Sequence, residues 1–116
     1  MMAMTELSAK HCVPCSGGVP PLTASEIEPL LEQLPSGWKV IDDHHLEKEW
    51  VFKDFASALE FTNQIGSVAE SEGHHPDIFL AWGRVAVSIR THKIDGLTES
   101  DFILAAKIDD IDQGEA

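Results

Sequence analysis

Between Asp54 and Thr91 the spacing of apolar residues changes period once, and that change limits the chain to a helix running into a strand pair. Phe55, Ala58, Leu59, Phe61, Thr62, Ile65, Val68 and Ala69 recur at helical intervals behind Asp54, a residue suited to N-capping. Gly73 supplies a helix-ending C′ residue, and Pro76 pushes the residue before it toward extended geometry, so the helix stops near Glu72. From Ile78 to Trp82 and from Arg84 to Thr91 the pattern alternates instead. With Trp82-Gly83 as the hairpin loop, Ile78 and Leu80 share a face with Val85, Val87 and Ile89, and a slip of one residue would destroy that agreement. Ala86, Ser88, Arg90 and His92 then fall on the opposite face.

The flanking segments complete the pattern. Thr23 or Ser25 can cap a helix carrying Ile27, Leu30, Leu31 and Leu34 on one face, with Pro29 early in it and Pro35-Ser36-Gly37 after it. Extended segments follow at Trp38–Ile41 and Leu46–Phe52, joined by Asp42-Asp43-His44-His45, which has turn composition. Asp95-Gly96 makes a further turn. Thr98 caps a last helix carrying Phe102, Leu104, Ala105, Ile108 and Ile111, with Asp101 in the acidic position of a capping box. Helix, two strands, helix, two strands, helix, with short strand connections, predicts an α+β fold: a single four-stranded antiparallel sheet with three helices packed on one face. The other face is then open to a substrate or a partner subunit.

At 116 residues the chain is expected to form one domain, over about 22–112, with 1–21 as a flexible leader and 113–116 as a tail. A net charge of −12 argues against non-specific nucleic-acid binding, which needs cationic surface. No run approaches the roughly 18 apolar residues of a membrane span, and Met1–Lys10 lacks the basic start and apolar core of a secretion signal, which favours the cytoplasm. Cys12 and Cys15 form a Cys-x-x-Cys, but it lies in a Gly/Pro-rich stretch with only His11 close by, so neither a zinc site nor a redox motif is expected there.

The chemistry points elsewhere. Three of the six histidines, His74, His75 and His92, fall where the helix–strand junction and the end of the second hairpin meet, flanked by Glu70 and Asp101. An imidazole exchanges protons near neutral pH, and carboxylates beside it fix its tautomer. If helical geometry persists, Glu70 neighbours His74; His74 and His75, adjacent in extended chain, diverge rather than chelate one ion. Trp82 or Trp38 could stack on a flat ligand. The alternatives are surface histidines with helix caps, or a His-plus-carboxylate metal site whose adjacent pair is badly spaced. His44-His45 reads as a solvated turn.

Glu70-x-x-x-His74-His75-Pro76, Trp82, His92 and Asp101 at these intervals, together with Gly37-Trp38, closely resemble the signature of the pterin-4a-carbinolamine dehydratases. The resemblance runs from about Leu22 to Asp110, and Gly17-Gly18-Val19-Pro20-Pro21-Leu22 is similar to the leader of bacterial members. It implies dehydration of a 4a-hydroxytetrahydropterin to a quinonoid dihydropterin, no metal and no cofactor, and pairing into homodimers or homotetramers. It further implies His74 as the main acid/base, His92 as a second proton-transfer or polarising group and His75 as a substrate anchor. Glu70 and Asp101 would orient the imidazoles, and Pro76 and Trp82 would help form the substrate site. Trp38 either borders the pterin or belongs to the core. Ser100 stands where animal relatives carry Arg, removing an electrostatic contact to the substrate. Other roles compatible with the resemblance are a non-enzymatic dimerisation module and an accessory protein for a related pterin, as in molybdopterin metabolism.

Overall fold

The computed structural model describes residues 7, 9, 10 and 20–111; Cys12 and Cys15 lie outside the described residues. The elements are α1 (Ala24–Glu32), β1 (Lys39–Ile41), β2 (His45–Val51), α2 (Phe55–Glu72), β3 (Asp77–Ala81), β4 (Arg84–Ile89) and α3 (Glu99–Asp109). The order is the expected α-β-β-α-β-β-α, and the fold is α+β.

All strand pairs are antiparallel in the order β1-β2-β4-β3, so the two hairpins join through β2 and β4. Ala81 pairs with Arg84, leaving Trp82-Gly83 as the two-residue loop, and Ile78 faces Val87 in the register that the alternation required. In the first hairpin Ile41 pairs with His45, so the turn is Asp42-Asp43-His44 and His45 belongs to the strand. Asp42 and Asp43 there have φ of 55° and 54°, a left-handed geometry that Asp tolerates better than most residues.

One face of the sheet carries Leu46, Trp50, Val85, Val87 and Ile89, all buried. Against it pack α2, through Ala58, Phe61, Ile65 and Ala69, and α3. Asp54 caps α2 by accepting the Ser57 backbone N–H at 2.8 Å, and that bond holds its carboxyl below the usual aspartate range. The cap therefore contributes stability above that range and loses it as the carboxylate is protonated in acid.

Burial of α3 goes beyond a single stripe. Every residue from Ser100 to Ala106 is buried, as is Ile108, which makes α3 a core helix rather than an amphipathic cover. Leu7, 1% exposed, joins the same cluster, and Lys10 pairs with Glu99 at 2.7 Å, so part of the stretch read as a leader packs on the domain. Among the described residues no helix is long and apolar enough to cross a membrane.

Candidate active site

Gly73 determines how the two adjacent histidines are presented. It ends α2 with φ 65° and ψ 27°, and its N–H returns to the carbonyls of Ala69 and Glu70. This left-handed step breaks the helical course one residue before His74. Helical geometry therefore does not persist: Glu70 bonds His75, not His74, with His75 Nε2 donating to Glu70 Oε2 at 2.7 Å. A Cβ added at Gly73 meets nothing within 4 Å, so Gly73→Ala is penalised by backbone conformation alone. We expect about 1–2 kcal/mol less stability for Gly73→Ala in urea unfolding.

His74 turns inward. Its Nε2 donates to Asp101 Oδ1 at 2.6 Å, with the His74 side chain 15% exposed and Asp101 fully buried. Asp101 lies in the first turn of α3, as the capping pattern required. Its Oδ2 accepts from the Thr98 backbone N–H and from the Thr91 hydroxyl, both at 2.8 Å. Thr91 in turn lies 3.0 Å from the Thr98 hydroxyl. Three donors thus converge on one carboxylate, the arrangement a buried charge requires. The carboxylate only accepts, so the bond assigns the proton to His74 Nε2 and leaves Nδ1 as the atom able to exchange one.

The two histidines diverge, as adjacent extended residues should. The His75–Glu70 pair is solvent-facing, 58% and 78% exposed, and adds little to stability. His92 is exposed in the turn between Thr91 and Gly96. The strand ends at Ile89 and the inward parity persists only to the buried Thr91, where the bridge to Gly96 opens a turn, so His92 lies in that turn rather than on the open face. The antiparallel β3–β4 register, Asp77 opposite Ser88, nevertheless carries the chain after Ile89 back toward the His74–Pro76 junction.

The tryptophans do not join this cluster. Trp82 is 69% exposed at the hairpin tip, the far end of β3 from Pro76, about 17 Å away along a five-residue strand. Trp38 is core: 6% exposed, edge-on to Trp50 at 5.7 Å, with its indole N–H donating to Asp109. Lys48 closes this group, 2.8 Å from Asp109 and 5.8 Å from the centre of the Trp38 ring. Ser100 is buried in the first turn of α3. A hollow of about 580 Å³ lies on the open face of the sheet, between Lys39, Glu47, Asp77, Phe79, Arg84 and Ser88. None of His74, His75 and His92 lines it, so the proton-exchanging groups mark the candidate site and the hollow does not.

Sequence reasoning overlooked Thr91, yet a signal for it existed. Val85, Val87, Ile89 and Thr91 share the inward parity, which takes the Thr91 hydroxyl to where Asp101 needs a donor. His44 and His45 were also read too plainly. They contact each other through Nδ1 atoms 3.0 Å apart and reach carboxylates on either side.

This frame and its residues have counterparts. The family model for pterin 4 alpha carbinolamine dehydratase matches residues 20–111. A protein of Alkaliphilus metalliredigens named as a pterin-4-alpha-carbinolamine dehydratase is 58% identical over 106 residues, 91% of this chain and 96% of its own. One of Rubrobacter xylanophilus with the same name is 57% identical over 106 residues, covering 91% and 98%. Among solved structures, a transcriptional coactivator/pterin dehydratase from Brucella melitensis superposes with a TM-score of 0.71 at 38% identity, covering 77% of this chain and 95% of that one. A pterin dehydratase-like RuBisCO assembly factor of the alpha-carboxysome shares the fold at a TM-score of 0.54 and 21% identity, covering 63% and 86%. With the match spanning all the secondary structure described above, the chain belongs to the pterin 4 alpha carbinolamine dehydratase family.

Proposed function

We propose that this chain acts in the cytoplasm as a hydro-lyase that removes water from 4a-hydroxytetrahydropterin to give quinonoid dihydropterin, with His74 as its principal acid–base group. The observation that carries the assignment of His74 is its bond to the buried Asp101 at 2.6 Å. Dehydration breaks the C4a–O bond, with the hydroxyl leaving as water once protonated, and removes the N5 proton as the N5=C4a bond forms. One proton is taken and one is given, so the reaction needs no net acid or base. An imidazole whose Nε2 is held by Asp101 can do both at Nδ1, accepting from N5 and returning a proton to the oxygen. Asp101 fixes the tautomer and stabilises the imidazolium formed in between. His92 is the second proton-transfer or polarising group.

His75 serves as a substrate anchor, held by Glu70 away from His74. Its replacement by Ala should therefore raise KM several-fold with kcat little changed, and steady-state kinetics on freshly prepared substrate separates the two constants. A fall in kcat at unchanged KM would move His75 into the chemistry. The activity itself is tested by adding the purified protein to freshly made 4a-hydroxytetrahydropterin. Decay no faster than in buffer would overturn the reading.

The chain works as at least a homodimer. Val51 is 76% and Phe79 53% exposed on the open face of the sheet, and Phe55 and Leu59, one turn apart on α2, are 44% and 39% exposed. Apolar side chains grouped in this way on two faces mark association surfaces. Light scattering at micromolar concentration should give twice the 12.7 kDa chain mass or a higher multiple; a monomer mass would refute it.

A further inference from the structure

The turn that carries His92 is held from outside by a chain of four side chains. His44 Nε2 bonds Asp95 Oδ1 at 2.8 Å, His44 Nδ1 lies 3.0 Å from His45 Nδ1, and His45 Nε2 bonds Glu47 Oε2 at 3.0 Å. Each of these three contacts needs one hydrogen between its heavy atoms. Two neutral imidazoles bring only two, and ionised carboxylates bring none. With two protons, either the Nδ1 lone pairs face each other or an imidazole lone pair faces a carboxylate. A third proton satisfies every contact, and a fourth would set two N–H groups against one another.

We propose that His44 and His45 share one excess proton between their Nδ1 atoms and that the resulting carboxylate–imidazole–imidazole–carboxylate chain fastens the 91–96 turn to β2, making His44 a positioning residue for His92. The positioning half rests on the reading of His92 as a group that meets the substrate; the shared proton does not. Asp95 is the link. Its N–H donates to the His92 carbonyl at 3.2 Å, and at φ 52° it makes the left-handed step of the turn. The bond from His44 is the main influence holding the Asp95 carboxyl below the usual aspartate range. On its other side the turn abuts Pro21, where a Cβ on Gly96 would lie 2.7 Å from the Pro21 Cβ.

The surrounding charges are mixed. Arg90 Nε lies 3.4 Å from Asp95 Oδ1, His92 and Lys93 belong to the same turn, Asp42 and Asp43 precede His44, and Lys39 stands opposite Glu47 across β1. Loss of the excess proton as pH rises leaves one of the three contacts without a hydrogen and breaks the continuity of the chain, while His44 Nε2 can still donate to Asp95. The sign is fixed: all three contacts are satisfied on the acid side, and one of them is lost on the alkaline side.

The shared proton is tested on the whole protein by 15N NMR of its imidazoles through about pH 5 to 8. We expect the Nδ1 resonances of His44 and His45 to move together with uptake of one proton by the pair. Independent titration of the two rings would overturn it. Positioning is tested by kinetics. His44→Ala should lower kcat about tenfold, short of the roughly 10²-fold that displacement by an ångström can impose, with KM little changed. His44→Gln, which keeps an N–H for Asp95 but cannot titrate, should restore turnover. Failure of Gln to exceed Ala would refute positioning through Asp95. His92→Ala is assayed alongside: unchanged turnover there removes the reading of His92, and the positioning role with it, while the NMR result on the shared proton stands by itself.

Discussion

Replacing His74 by Ala is expected to lower kcat by about 10²–10⁴-fold, the range that a positioned acid–base group supplies. The fold should survive. His74 is at the surface end of its bond, and Asp101 keeps two donors, Thr91 and the Thr98 N–H, when the imidazole is gone. The stability loss should stay within about 1–3 kcal/mol, measurable by urea unfolding beside the assay. Near-normal turnover in a folded His74→Ala protein would remove His74 from the chemistry.

The second large effect is expected at Asp101→Asn. Asparagine has the size of aspartate but must turn an NH2 toward one of the donors. The Thr98 backbone N–H cannot become an acceptor, so the amide oxygen stays there and the NH2 faces His74. His74 Nε2 must then accept, and its proton moves to Nδ1, the wrong tautomer for taking a proton from substrate. The same exchange behind the imidazole of a serine protease triad lowers kcat about 10⁴-fold. We expect about 10²-fold or more here, with KM little affected. NMR of His74 should show the proton on Nδ1 in the variant and on Nε2 in the parent; an unchanged tautomer with unchanged kcat would refute the role of Asp101.

What could be read from the sequence was what is local in the chain. The Asp54 cap, the stop at Gly73, the register around Trp82-Gly83 and the cap at Thr98 each depend on a few neighbouring residues, and each is where the pattern put it. What escaped depends on how elements meet. That Asp101 caps α3 was legible; that its other oxygen reaches His74, 27 residues away, depends on how α2 and α3 pack. Glu70 was paired with the wrong histidine because a left-handed residue intervenes, and helical spacing carries no information past such a residue. Trp82 was placed near the histidines by proximity in sequence, whereas a five-residue strand takes it to the opposite end of the hairpin. The His44-His45 pair reads as a polar turn until the 91–96 turn arrives beside it.

The strand order β1-β2-β4-β3 bears on how the chain folds, not only on what it holds in place. Each hairpin is a local structure, of a kind that forms within about 1–10 μs. Joining them is not local: β2 must find β4 across the whole of α2, as in the pairing of Leu46 with Ile89. That closure is the step with the high entropic barrier, and it sets the pace of folding for a mixed α/β topology. The His74–Asp101 bond lies outside it, spanning only α2's end, the second hairpin and the start of α3. Asp101, however, is buried on a core helix that packs in one cluster with Leu46 and Trp50 of β2, so the couple gains its dry surroundings only when that closure is made.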